Sequence, residues 1–206
     1  MGVLPEVLGK SQIDRHGLIQ RLKRKGAARV FFIESGEVPL DWKAVMLCLD
    51  CKVNNSRRMK RWSCPPYAFT PDKVKEMLEK HPEAVLVNLE VDFFPIVNRS
   101  WDSFDPFLQI AQKFFCHFYW GKLHRIMLEL KEYLKSKGIP GHVWGSSPCH
   151  ACFKCSYPRK CRKPGAMLIS PEASGIDLYR LAATVGIPIE IPPKKKIQLI
   201  SLAIFG

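Results

Sequence analysis

The chain has 206 residues, 47% hydrophobic and 11% aromatic, with 32 lysines and arginines against 19 acids and a formal net charge of +13. That apolar content suits a packed core rather than a disordered chain, and the length suits one substantial domain or two small ones. The opening MGVLPEVLGKSQIDR lacks the apolar run of a secretory signal, and no stretch of about eighteen uncharged apolar residues follows, so the sequence argues against secretion and a membrane span and for the cytoplasm.

In chain order, SQIDRHGLIQRLKRK (residues 11–25) reads as a short amphipathic helix with a basic outer face, and ARVFFIES as a strand. KAVMLCL reads as a second strand running into Cys48 and Cys51, so that a first cysteine loop hangs from a strand end. After Cys64, Thr70 can cap and Pro71 can open a helix over PDKVKEMLEKH, followed by the strand AVLVNLEVDF. Ser103 or Asp105 opens a long apolar helical stretch to about Lys137, with a break foreseen at Gly121 and an end at Gly138-Ile139-Pro140-Gly141. HVWGS is a brief strand, residues 146–166 form a second cysteine loop, and ASGIDLYRLAATVG is a helix. IPIEI and KIQLISLAIF are two more strands. The alternation predicts one α/β or α+β domain over 1–206, a central mixed sheet flanked by helices and carrying two metal loops, 48–66 and 146–166, with no linker between them.

The eight cysteines carry the chemistry. Cellular thiol pools keep cytoplasmic cysteines reduced, so metal binding or redox work is expected before disulfides. Cys149, Cys152, Cys155 and Cys161 form a C-x2-C-x2-C-x5-C run, a spacing that lets three thiolates wrap one face of a 4Fe-4S cluster and a fourth close it. Zinc competes, although it usually takes two separated C-x2-C knuckles. Upstream, Cys48, Cys51 and Cys64 give three thiolates, with Pro65-Pro66 stiffening the loop. Three ligands would leave one iron open to a small molecule, and the competing reading is a structural zinc with a distant fourth ligand. Cys116 would complete a second set of four, but in QKFFCHFYW it reads more simply as a small buried hydrophobe. His117, His124 and His142 carry no ligand spacing, while His150 lies inside the second loop as a hydrogen-bond partner to a ligand sulfur or a solvated ring.

Arg57, Arg58, Lys60 and Arg61 stand in the first loop beside Trp62 and Tyr67, and Arg159, Lys160, Arg162 and Lys163 in the second. This charge suits stabilisation of an anionic cluster or docking of an acidic redox partner more than nucleic acid, for which no motif is present. Lys194-Lys195-Lys196 reads as a solvated turn. The sequence contains no GxGxxG after a strand, GxxxxGK[ST], HExxH, GxSxG or C-x3-C-x2-C triplet, so nucleotide, hydrolase and radical-SAM readings have no local support.

The segments RWSCPPYAFTP, SPCHACFKCSYPRKCRKPGAM and SPEASGIDLYRLAATVGIPI, spread over most of residues 45 to 190, resemble an uncharacterised family of predicted metal-binding proteins, mainly from archaea and anaerobic bacteria. The resemblance implies iron-sulfur or other metal binding by Cys48, Cys51, Cys64, Cys149, Cys152, Cys155 and Cys161. It brings no settled activity. Three functions therefore stand as expectations: an electron carrier with one or two 4Fe-4S clusters serving a partner enzyme in anaerobic metabolism, an enzyme with an open-site cluster for small-ligand or sulfur chemistry, and a zinc-stabilised nucleic-acid-binding module.

Overall fold

The computed structural model describes residues 13–51, 60–92, 106–190 and 196–206, and the side chains at 106, 108–113 and 116 lie outside that description. Four strands, β1 (Arg29–Glu34), β2 (Glu83–Asp92), β3 (Gly141–Val143) and β4 (Lys196–Phe205), form one sheet in the order β1-β2-β4-β3. Every pairing is antiparallel. The α+β reading of the sequence therefore holds, and the foreseen mixed sheet is antiparallel throughout the described residues. β2 and β4 pair along their whole length, from Glu83↔Phe205 to Asp92↔Lys196. Both are buried on both faces, which gives the continuous apolar runs otherwise typical of parallel strands.

Side-chain alternation divides the core into two layers. Val85, Val87, Leu89 and Val91 of β2, with Leu199, Ala203 and Phe205 of β4, face Leu18 and Leu22 of α1 (Arg15–Arg24) and Leu123, Ile126, Met127 and Leu130 of α4 (Pro106–Ser136). Ala84 and Leu86, with Ile200, Leu202 and Ile204, face Trp144, Ile176, α3 (Pro71–Lys80) and α5 (Leu178–Thr184). Cys48, Ala68 and Phe69 pack on the edge of this second layer. The first cysteine group is thereby tied to one face of the sheet.

The helices begin where the sequence offers caps. Asp14 accepts the Gly17 N–H at 2.9 Å, Thr70 accepts the Lys73 N–H at 3.3 Å ahead of Pro71, and Asp177 accepts from Tyr179 and Arg180. KAVMLCL is not a strand. It lies in α2 (Trp42–Asp50), where Asp41 caps the Lys43 N–H at 2.8 Å and only Ala44 and Val45 are buried. The run is too short and too uniformly apolar to declare its period, so cap and tertiary contact decide it. Residues 187–190 of the foreseen strand IPIEI have no regular structure. Residue 191 lies outside the described residues. α4 also continues through Gly121 without a break.

Candidate metal centre

Cys48 stands in the last turn of α2 and Cys51 is its C-cap, its N–H reaching the Cys48 carbonyl at 3.4 Å. The first cysteine loop therefore leaves a helix end rather than a strand end. α2 is held against the turn Glu172–Ser174 by the Asp41 N–H to Gly175 carbonyl bond (2.8 Å), the Asp177 N–H to Pro39 carbonyl bond (2.9 Å) and the Leu40↔Ile176 bridge. Gly175 also lets α3 approach this turn: its φ is +83°, and a Cβ there would meet Pro71 Cγ at 2.5 Å.

The two cysteine loops, distant in sequence, are sewn together. The Cys149 N–H donates to the buried Ser63 hydroxyl at 2.8 Å, and Arg61 Nη1 donates to the Cys149 carbonyl at 2.7 Å. Trp62 Nε1 donates to the Arg159 carbonyl at 2.9 Å, and the Tyr67 and Tyr157 hydroxyls meet at 3.1 Å. Trp62, Tyr67 and Tyr157 form a ring triad, with centroids 4.7, 5.1 and 5.7 Å apart. α4 grips the far end of the second loop: Lys131 Nζ donates to the Gly165 carbonyl at 2.7 Å and the buried His124 Nε2 to the Ala166 carbonyl at 2.9 Å.

Cys149, Cys152, Cys155 and Cys161 line one narrow cavity together with Arg61, Trp62, Arg162 and Met167. The upstream cysteines are electrostatic neighbours of one another, and Cys64, which is buried, also senses Cys155. Burial pushes the Cys48 thiol up to about 12, and the negative charges of Glu172, Cys51 and Cys64 add to the shift. Burial also raises Cys64 and Cys149; Arg61 opposes both shifts, as do Ser63 at Cys64 and the N–H groups of Ala151 and Leu168 at Cys149. These thiols are neutral without a cation, so ligation must displace their protons. Among the described residues, no three His, Cys, Asp or Glu side chains stand close enough to hold a single metal ion. The donor set nevertheless suits a thiolate-bound cluster: four soft sulfurs share one cavity, two guanidinium groups line it, and the Ala151 N–H points at Cys149 Sγ at 3.4 Å.

The histidines divide as their surroundings dictate. His142 lies between the Phe69 and Trp144 rings, and burial drops it to about 4. His124 is committed to the Ala166 carbonyl, and its pKa is lowered by burial. His150 shares Nε2 with Ser147 Oγ at 2.9 Å and stacks on Trp120, next to His117. Cys116 falls on α4, but its side chain lies outside the described residues, as do Arg57, Arg58, Lys194 and Lys195. Sequence reasoning missed Ser63, Lys131 and Glu172. The cap-like SPEAS run containing Glu172 was the only trace of the last, and nothing in the sequence ties Ser63 to Cys149.

No helix among the described residues is long and apolar enough to cross a membrane. A family model described as "Predicted metal-binding protein (DUF2284)" matches residues 32–205. Nothing among the curated proteins or the solved structures matches the chain.

Proposed function

The chain belongs to this family of predicted metal-binding proteins, and on that premise we propose that it is a cytoplasmic iron-sulfur protein passing single electrons to an acidic partner protein in anaerobic metabolism. The observation that carries the reading is the cavity walled by Cys149, Cys152, Cys155 and Cys161 and flanked by Arg61 and Arg162. The even C-x2-C-x2-C spacing favours a 4Fe-4S group over zinc there, and such a group supplies reversible one-electron transfer. Arg61 and Arg162 offset its negative charge and favour the reduced state. Cys48, Cys51 and Cys64 would hold a second group of the same kind.

Trp62 forms part of the cavity wall and touches Tyr67, which is exposed. The triad therefore gives a short covalent and van der Waals path from the cysteines to the surface. Beside it Lys60, Arg159 and Lys160 are exposed, a basic rim that would steer an acidic surface toward Tyr67. The test is a pair of variants read by EPR and iron content. Cys161→Ser should remove the signal of one cluster and leave the other, and Cys116→Ala should leave both. Loss of all iron in Cys116→Ala would overturn the ligand assignment, and an EPR-silent protein after reduction would overturn electron transfer.

A further inference from the structure

β3 leaves the sheet early, and its departure opens a second cavity. Its pairing with β4 covers only Ala203, Ile204 and Phe205, extended by the Trp144 N–H to Leu202 carbonyl bond at 3.0 Å. At Gly145 the chain turns away: the Gly145 N–H bonds the Ile169 carbonyl at 2.8 Å, and Ser201 Oγ donates to the Trp144 and Gly145 carbonyls. In an antiparallel strand, alternate residues direct both main-chain groups to the same side. Leu202 faces β3, so Ile200 and Gln198 face the same side, and there the described residues offer them no strand partner.

A cavity of about 210 Å³ lies beside this open edge, lined by Gln198, Leu199 and Ile200 and by Trp120, Ser146 and Glu172, among others. Trp120 supplies an aromatic wall. Ser146 Oγ is buried and has no hydrogen-bond partner among the described residues. The Gln198 amide is occupied, accepting from Asn88 Nδ2 at 2.9 Å and donating to Glu90 Oε2 at 3.1 Å, so its main chain is what remains for a ligand. Glu172 is held by the Ser170 hydroxyl, and among the described residues no lysine or arginine lines the cavity.

We propose that this cavity binds a small, flat, uncharged molecule carrying an amide or lactam edge. The N–H and C=O groups of the β4 edge lie in one plane and complement the acceptor and donor of such an edge. The ring lies along Trp120, and Ser146 gains the partner it lacks. An anion would find no lysine or arginine among the described lining residues, a cation would find only the Glu172 carboxyl, which burial pushes toward its neutral form, and a bulky aliphatic molecule would leave the main-chain groups and Ser146 dry and unpaired. The site is separate from the cavity walled by the four cysteines. Glu172, which lines it, nevertheless acts electrostatically on Cys48 of the upstream cysteine group.

Calorimetric titration of the metal-loaded protein with benzamide tests the proposal, with benzoate and benzylamine as charged counterparts of the same shape. Benzamide should bind saturably at one site per chain, and each charged analogue at least about tenfold more weakly. Ser146→Val removes the hydroxyl, and Ile189→Trp plugs the cavity from a residue in irregular structure; each should weaken benzamide binding by about tenfold or more. Benzamide heats that do not saturate, equal binding of a charged analogue, or unchanged affinity in both variants would overturn the proposal. Metal content measured in the same samples keeps this result distinct from any failure of the cluster reading.

Discussion

Ser63 has no metal-binding chemistry, yet its buried hydroxyl accepts the Cys149 N–H and so fixes one cysteine loop on the other. Ser63→Ala leaves that N–H without a partner, at a cost of about 1–3 kcal/mol. The expected outcome is a lower unfolding midpoint and faster release of iron to a chelator, with Ser63→Thr restoring both; unchanged release would mean that the bond does not position Cys149. His142 makes a prediction about acid. Its folded pKa is depressed to about 4 by burial from an ordinary 6.5, so the unfolded chain binds the proton first. The stability tied to neutral His142 is present above pH 6.5 and is lost as pH falls toward 4, by up to about 3 kcal/mol. In His142→Phe the fall in unfolding free energy between these pH values should be shallower; an identical slope would assign the acid limb to other groups.

Among the elements, α4 and the cysteine loops behave in opposite ways. α4 is one uninterrupted helix whose Gly121 has room for a side chain, since a Cβ there would meet only Arg125 Nη1, at 3.6 Å. Gly121→Ala should therefore raise stability by roughly 0.5–1 kcal/mol in denaturant unfolding, and a loss would show that the helix needs the glycine. The loops instead depend on what their buried thiols bind, because raised thiol pKa values leave neutral groups that only a cation converts to ligands. On metal removal, amide exchange should accelerate in 60–67 and 149–166 together, since the Ser63, Arg61 and Trp62 bonds join them, while β2 and β4 keep their protection. Acceleration in one loop alone would show that they open independently.

For the whole molecule, the sequence made the elements largely readable and their assembly much less so. β1, β2, β4, α1, α3 and α4 lie close to where caps and apolar periods put them. α2 did not, because its short apolar run Ala44–Leu49 satisfies a helix and a buried strand equally. The antiparallel sense of the sheet was hidden for a related reason: strands covered by helices on both faces lose the alternation that would mark them. Of the candidate site, the two cysteine groups are visible in the sequence as clusters, whereas the joining of their loops is not. That joining rests on main-chain carbonyls, one serine and paired rings, which leave no pattern in a sequence. The claim on which the account turns is that these cysteines hold iron and sulfide. Quantifying iron, zinc and acid-labile sulfide in protein purified without oxygen tests it most directly. The protein should be brown, with about four or eight irons and matching sulfide per chain, and should absorb broadly near 400 nm, roughly as thiolate-bound iron clusters do. A colourless protein with stoichiometric zinc and no sulfide would contradict it.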